Sequence, residues 1–344
     1  MRMYIGKFTN QMPCLTGRRT PNGSVCITGL SGTGKTSRMN QIELESVRQG
    51  ETLIVIDLHK THGDGQIFPL VQSEYLKYVN RICAVSDGLG LGILQAVHTS
   101  EGEETFVELV NSAVQALSAK QRMGARQIGV LRKAVISAIE SRNRYCDEAE
   151  AIKAALLQLE GESSEAVYEK LWVLLNSGCL KSASKMLEAG RINILDLTGT
   201  DMLTQSVLAE LILSTIWRRV RFHEKEKRQQ ILIVIDEFQN LSAKMGAPLM
   251  GLLTEGRRFG ISLLLATQSL EIFPSEIQPV LSQTATRLYF RPTDNEVKKI
   301  AKNISADSVA EWVKRLKNLK VGESVAVGDL EVAGREIRRP ILLK

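Results

Sequence analysis

The sequence predicts an α/β fold with a mostly parallel central sheet and a helical insertion. Three observations carry this. A loop matching G-x-x-x-x-G-K-[ST], GLSGTGKT, stands between a short apolar run at Val25 to Ile27 and a helix expected from Lys35 through Glu45. Further apolar runs alternate with helical stretches, as crossover connections in a parallel sheet require. Between Thr105 and Ala189 only amphipathic helical periodicity remains. The expected division is a short N-terminal segment (1–23), a first core part (24–98), a helical insertion subdomain (99–190) and a second core part with the C-terminal segment (191–344).

The elements follow in order. Met3 to Phe8 reads as an edge strand, with turns at Pro13 and at Pro21-Asn22-Gly23. Thr52 to Ile56 is a second strand that delivers Asp57, Leu58, His59 and Lys60 to its C-terminal end, where open α/β sheets bind ligands. His59 and His62 there read as surface residues, with contact to a nucleotide as the other reading. Gly63, Asp64 and Gly65 form a loop, and Arg81 to Val85 is a third short strand. In the helical stretch, Phe106, Leu109, Val110, Ala113, Val114 and Leu117 recur at helical spacing, as do Leu131, Val135, Ala138 and Ile139, and then Val167, Leu171, Leu174 and Leu175. Its acidic residues Asp147, Glu148, Glu150, Glu160, Glu162 and Glu165 read as a solvated face that repels nucleic acid.

The sheet resumes with a strand at Arg191 to Leu197, a long helix at Leu203 to Val220 and a strand at Ile231 to Ile235. Arg218, Arg219, Arg221, Lys225, Lys227 and Arg228 read as a solvated helix end whose cations complement the dipole. Ile261 to Ala266 and Thr286 to Phe290 are two more strands. A helical pair near Glu296 to Leu319 leads to extended runs at Ser324 to Val327 and Ile337 to Leu343.

Hydrophobic content of 44% and charged content of 24% are those of a globular chain, and the net charge of +6 is compatible with a polyanion partner. The five cysteines show no C-x-x-C spacing, so reduced thiols and a cytoplasmic location are expected, with no metal site among them. The N-terminus has no apolar signal region and no apolar run reaches the length of a transmembrane segment.

The chemistry is concentrated in a few positions. Gly29, Ser31, Gly32, Thr33, Gly34, Lys35, Thr36 and Ser37 are the nucleotide-binding residues. Glycines let backbone N–H groups curl around a phosphate at a helix N-terminus, Lys35 reaches the β and γ phosphates, and the Thr36 hydroxyl coordinates Mg²⁺. Within ILIVIDEFQNL, Asp236 leaves the end of an apolar strand to hold the Mg²⁺, and Glu237 orients and deprotonates the attacking water. Gln268 ends ISLLLATQ, where an amide can contact both the γ-phosphate and that water. Arg257 and Arg258, in TEGRRFG, stand at the edge of the domain, where a guanidinium can reach a neighbouring subunit's γ-phosphate. ATP and Mg²⁺ are the expected cofactors.

Taken together, GLSGTGKTS, IDLHK, ILDLTGTDMLTQSVLAELIL, ILIVIDEFQNL, EGRRFGISLLLATQS and GESVAVG resemble the HerA/FtsK superfamily of P-loop ATPases, with HerA-type DNA translocases and the ATPases of conjugative type IV secretion as the nearest likeness. The resemblance implies a RecA-like core and a homo-hexameric ring with ATP at the subunit interfaces and duplex DNA in a central pore. It implies that Lys35 and Thr36 bind nucleotide and metal, that Asp236 and Glu237 serve metal and hydrolysis, that Gln268 is the sensor, and that Arg257, ahead of Arg258, is the trans finger. The expected function is an ATP-hydrolysing, ring-forming motor that translocates double-stranded DNA without sequence preference, with a nuclease, relaxase or secretion channel as partner. Two alternatives are a type IV secretion ATPase energising transfer through a membrane channel, and an ATP-binding subunit of an anti-phage defence assembly. The chain departs from the pattern in two respects: about 20 residues precede the phosphate loop where HerA relatives carry a β-barrel, and the membrane helices of conjugative coupling proteins have no counterpart.

Overall fold

In a computed structural model the described residues are 2–8, 11–17, 23–62, 69–99, 102–221, 230–244, 246–275, 277–282 and 284–344. The turn expected at Pro21-Asn22, the loop at Gly63 to Gly65 and the cations Lys225, Lys227 and Arg228 lie outside them.

The N-terminal half runs β1 (Tyr4–Lys7), β2 (Pro13–Thr16), β3 (Val25–Thr28), α1 (Lys35–Arg48), β4 (Thr52–Asp57), α2 (Pro69–Tyr75), β5 (Val79–Cys83) and α3 (Ala84–Asp87). A short hairpin, β6 (His98–Thr99) with β7 (Gly102–Glu103), leads into helices α4 (Phe106–Ser118), α5 (Ala125–Ser141), α6 (Glu148–Gln158) and α7 (Glu162–Asn176). There follow β8 (Ile192–Asp196), α8 (Met202–Arg221), β9 (Ile231–Ile235), α9 (Pro248–Glu255), β10 (Ile261–Thr267), α10 (Gln278–Ser282) and β11 (Thr286–Tyr289). The chain ends with α11 (Val297–Ile304), α12 (Val309–Lys317), β12 (Ser324–Gly328), β13 (Leu330–Val332), β14 (Arg335–Ile337) and β15 (Ile341–Leu343).

The apolar runs read as unbroken because both faces of their strands are covered. In β4, β9 and β10, Ile54, Ile56, Ile233, Ile235, Leu263 and Leu265 enter one core beneath α4 to α9, whereas Leu53, Val55, Leu232, Val234, Leu264 and Ala266 enter a second core with α1. The nine-stranded sheet has the order β15-β12-β11-β3-β10-β9-β4-β8-β5, and every strand but β12, which is antiparallel to both its neighbours, runs in one direction. The strand carrying the phosphate loop, β3, is therefore separated from β9 by β10, and all three deliver their C-terminal ends to one edge.

Several sequence readings are corrected by tertiary contacts. Pro13 opens β2 instead of forming a turn, a position where its missing N–H breaks no bond to β13, which pairs only with Cys14 to Thr16. The third strand is Val79–Cys83, and Ala84 and Val85 have already turned into α3. Glu148 is buried rather than solvated, because its carboxylate accepts the backbone N–H groups of Ile93 (3.1 Å) and Leu94 (2.8 Å). Arg218 is likewise no solvated cation; it is buried against Glu104, with Nε and Nη2 each 2.6 Å from a carboxylate oxygen. Arg219 reaches the Leu91 carbonyl and Arg221 pairs with Glu108.

A second sheet, ordered β1-β2-β13-β14, joins the N-terminal hairpin to the C-terminal segment. Neither β13 nor its pairing with β2 was legible in the sequence, since nothing local to three residues names so distant a partner. Arg38 of α1 fastens this sheet to the core: buried, it donates to the carbonyls of Ile5 (2.8 Å) and Gly322 (3.0 Å). Gly6, at φ 141°, makes room, because a Cβ there would stand 1.6 Å from Arg38 Nη1. Gly6→Ala is expected to displace the guanidinium and to lose about 2 kcal/mol or more in urea unfolding, the worth of its charged hydrogen bonds. An unchanged unfolding midpoint would show that Arg38 can swing aside without cost.

All five cysteines are free thiols, and burial pushes Cys26 up to about 12. Among the described residues no helix is long and apolar enough to cross a membrane.

Candidate functional site

The phosphate loop leaves β3 in the middle of the sheet, between β10 and β11, and turns directly into α1. Gly34 is the residue before that helix, at φ 102°; a Cβ there would meet the Gly322 amide at 2.9 Å, so a side chain would both strain the backbone and push the C-terminal turn away. The Thr33 hydroxyl closes the loop on the Leu30 carbonyl at 2.7 Å. Lys35 is buried and donates from Nζ to the carbonyls of Gly29 (2.8 Å) and Leu30 (3.1 Å). Burial lowers its pKa, while Asp236 and Glu237 across the cleft favour its charge.

Asp236 follows β9 and meets the first turn of α1: the Thr36 hydroxyl donates to its Oδ2 at 3.1 Å. Burial, and then the neighbouring Glu237 charge, raise the Asp236 pKa above the ordinary carboxylate value, a state that a cation would reverse. This donor set fits Mg²⁺. The ion takes hard oxygen ligands, few of them from protein, and keeps water and phosphate oxygens for the rest; the described residues hold no cluster of three or more His, Cys, Asp or Glu that would suit a metal of another kind.

Glu237 adopts a left-handed backbone, φ 53°, uncommon for a residue with a side chain. Its own amide donates to Asp236 Oδ1 at 2.9 Å. Two amide side chains hold the carboxylate: Gln268 donates to Oε1 at 3.0 Å and Gln239 donates to Oε2. Gln239 in turn accepts from the Thr267 hydroxyl at 2.7 Å. Gln239 belongs to no motif that marks it as functional. Its signal was its place two residues after the acidic pair, where the turn following Glu237 folds it back toward β10.

Ser31, Gly32, Gly34, Lys35, Thr36, Ser37, Asp236, Glu237 and Gln268 thus come together around one cleft of about 620 Å³. Gly29 and Thr33 shape the loop from behind. His59, Thr61, Gln239 and Asn240 complete the polar wall, with Met202 and Val321 as apolar members. Arg257 and Arg258 are not part of this wall. They lie on the turn Gly256–Phe259 before β10, at the end of that strand opposite to Gln268. Seven residues at about 3.3 Å each put that turn on the order of 20 Å from the strand's catalytic end.

His62 is a correction. It is buried rather than on the surface, with Nε2 3.0 Å from Glu43 Oε1. Burial disfavours the charged ring, but the Glu43 carboxylate, with Asp57 and Asp236 beyond, holds its pKa above the ordinary imidazole value.

The strand order and this cleft define a P-loop NTPase with a RecA-like core, in which the strand bearing Gln268 lies between the phosphate-loop strand and the strand ending at Asp236. Comparison with known proteins shows what the chain is similar to. The model of the type IV secretion-system coupling protein DNA-binding domain matches residues 182–343. A probable DNA double-strand break repair helicase HerA of Methanocaldococcus jannaschii is 31% identical over 115 residues, which is 32% of this chain and 22% of that one. The chain thus matches about a fifth of the length of that curated relative. Among solved structures, VirB4 of Thermoanaerobacter pseudethanolicus superposes with a TM-score of 0.70 at 17% identity, covering 99% of this chain and 95% of that one. The bacterial conjugative coupling protein TrwB, lacking its N-terminal residues, superposes with a TM-score of 0.64 at 12% identity, covering 96% and 86%. TrwB has also been solved with the ATP analogue ADPNP and with ADP and Mg²⁺. The chain therefore shares its fold with these conjugation ATPases, and its second half resembles the coupling-protein DNA-binding domain.

Proposed function

We propose that the chain binds ATP with Mg²⁺, hydrolyses it, and couples hydrolysis to the movement of double-stranded DNA without regard to sequence. The observation that carries this is the Thr36–Asp236 contact beside a Glu237 carboxylate clamped by Gln239 and Gln268, all facing the phosphate loop across one cleft. In this reading Lys35 neutralises the β and γ phosphates, Thr36 and Asp236 hold the metal, and Glu237 takes the proton of the attacking water. Gln268 reports the nucleotide by exchanging Glu237 for the γ-phosphate. Arg257, with Arg258 second, acts on the nucleotide of the next subunit in a homo-hexameric ring; the span of β10 favours a role in trans over one in cis. The helical segment at 99–190 is an insertion subdomain between two parts of one motor core. DNA enters the proposal through the coupling-protein and HerA matches and the net charge of +6.

The test is ATP hydrolysis by the purified protein alone, with duplex DNA and with single-stranded DNA, at low and moderate salt, with Lys35→Ala as control. Duplex DNA is expected to stimulate turnover several-fold at low salt, and Lys35→Ala to abolish it. Turnover that ignores DNA would remove the translocation reading and favour a secretion ATPase driven by a protein partner.

A further inference from the structure

We propose that His59 reads the terminal phosphate of the nucleotide, presented to it by a turn that is fastened to the phosphate-loop helix through His62 and Glu43. The proposal rests on the ATP reading above and adds a contact to it.

The tip of β4 is built around one carboxylate. Asp57, buried, accepts the backbone N–H groups of His59 (3.3 Å) and Thr61 (3.1 Å) through Oδ1 and that of His62 (3.4 Å) through Oδ2. Lys60 takes a left-handed conformation, φ 57°, so the chain reverses on itself within these few residues. The reversal sends His59 outward and His62 inward. His62 meets Glu43, whose carboxylate also accepts the Tyr75 hydroxyl, and the Arg81 guanidinium donates to the His62 carbonyl and to Asp196 Oδ2 (3.2 Å). Glu43 belongs to α1, the helix that begins with Lys35 and Thr36, about two turns further along. The turn and the phosphate loop are therefore two ends of one rigid connection.

On the outward side His59 lines the cleft and approaches the turn after Glu237, its Nε2 3.1 Å from the Asn240 side-chain nitrogen. An amide nitrogen only donates, so Nε2 is the acceptor in this pair and Nδ1 is the ring donor left for an anion. Gln239 and Gln268 both donate to Glu237, so Gln268 reaches a phosphate only by leaving that carboxylate, an exchange His59 does not need. Among the described residues lining the cleft His59 is the sole imidazole. Lys35 serves phosphate from the loop side, and His59 lines the same cleft as Asp236 and Glu237, the side on which we place the third phosphate. A group so placed separates ATP from ADP.

The experiment compares affinities for ATPγS and for ADP, both with Mg²⁺, in the wild type, His59→Ala and His59→Gln. Because the side chain is exposed, thermal midpoints of the variants are expected to match the wild type. His59→Ala should weaken ATPγS about 10-fold or more, the worth of a hydrogen bond to a charged group, while ADP changes less than about twofold. The glutamine variant, which can still donate, should recover part of the loss. Equal weakening of both nucleotides, or of neither, overturns the assignment. If the wild type binds neither nucleotide, or Lys35→Ala binds both as well as the wild type does, the nucleotide reading fails and this assignment with it.

Discussion

Glu237→Gln lowers ATP turnover by about 10²- to 10⁴-fold while leaving nucleotide affinity within a few-fold of the wild type. That range is what a positioned general base contributes. The geometry sharpens the expectation. The carboxylate is held by the Gln239 amide and a left-handed backbone, and by Gln268 until that amide turns to the γ-phosphate, so the base stays in place. A glutamine in its place is isosteric but has no basic oxygen pair, and its own NH₂ would face one of the two amide donors. Phosphate release under saturating ATP measures the first quantity and equilibrium titration the second. A loss of less than about threefold would assign water activation to another group.

Arg257→Ala is expected to cost about 10³-fold in turnover, within the range for arginine fingers, without weakening binding to the isolated subunit. The reasoning is spatial. A turn at the far end of β10 has no access to the cleft of its own chain, so an effect on hydrolysis must come from a neighbour. Mixing decides it: Arg257→Ala and Lys35→Ala subunits, each inactive, should regain activity when co-assembled, because an intact loop then faces an intact finger. If mixtures stay inactive and Arg257→Ala alone keeps more than about a tenth of wild-type turnover, the finger is not at this position. Arg258→Ala, in parallel, tests the second candidate, whose guanidinium lies 4.0 Å from Glu255 on the same turn.

The parts that could be read from the sequence are those whose causes are local. The phosphate loop declares itself through glycine spacing and a helix start, and the acidic pair through a continuous apolar strand before it. What escaped reading depends on groups far apart in the chain. His62 looks like a loop histidine until Glu43 of another element is brought against it, and Arg218 like a dipole-complementing surface charge until the β7 hairpin carries Glu104 beneath it. Glu148 belongs to an acidic stretch by composition, but its backbone partners at Ile93 and Leu94 come from the segment before the hairpin. Charge in a sequence marks a solvated face only when nothing folds over it. Arg38 carried no signal at all, since the two carbonyls it joins come from opposite ends of the chain.

That last contact has a consequence for biogenesis. The backbone of Lys344 exchanges hydrogen bonds with Lys7, Gly322 lies against Gly34, and β11 and β12 complete the sheet on the far side of β3. On the ribosome the phosphate loop emerges early, yet every one of these supports is translated late. The helical segment and the middle strands can form during synthesis, but the loop's own cradle has to wait until the segment 286–344 has cleared the exit tunnel. The loop's folded shape is thereby postponed until the strands from β11 onward have been made.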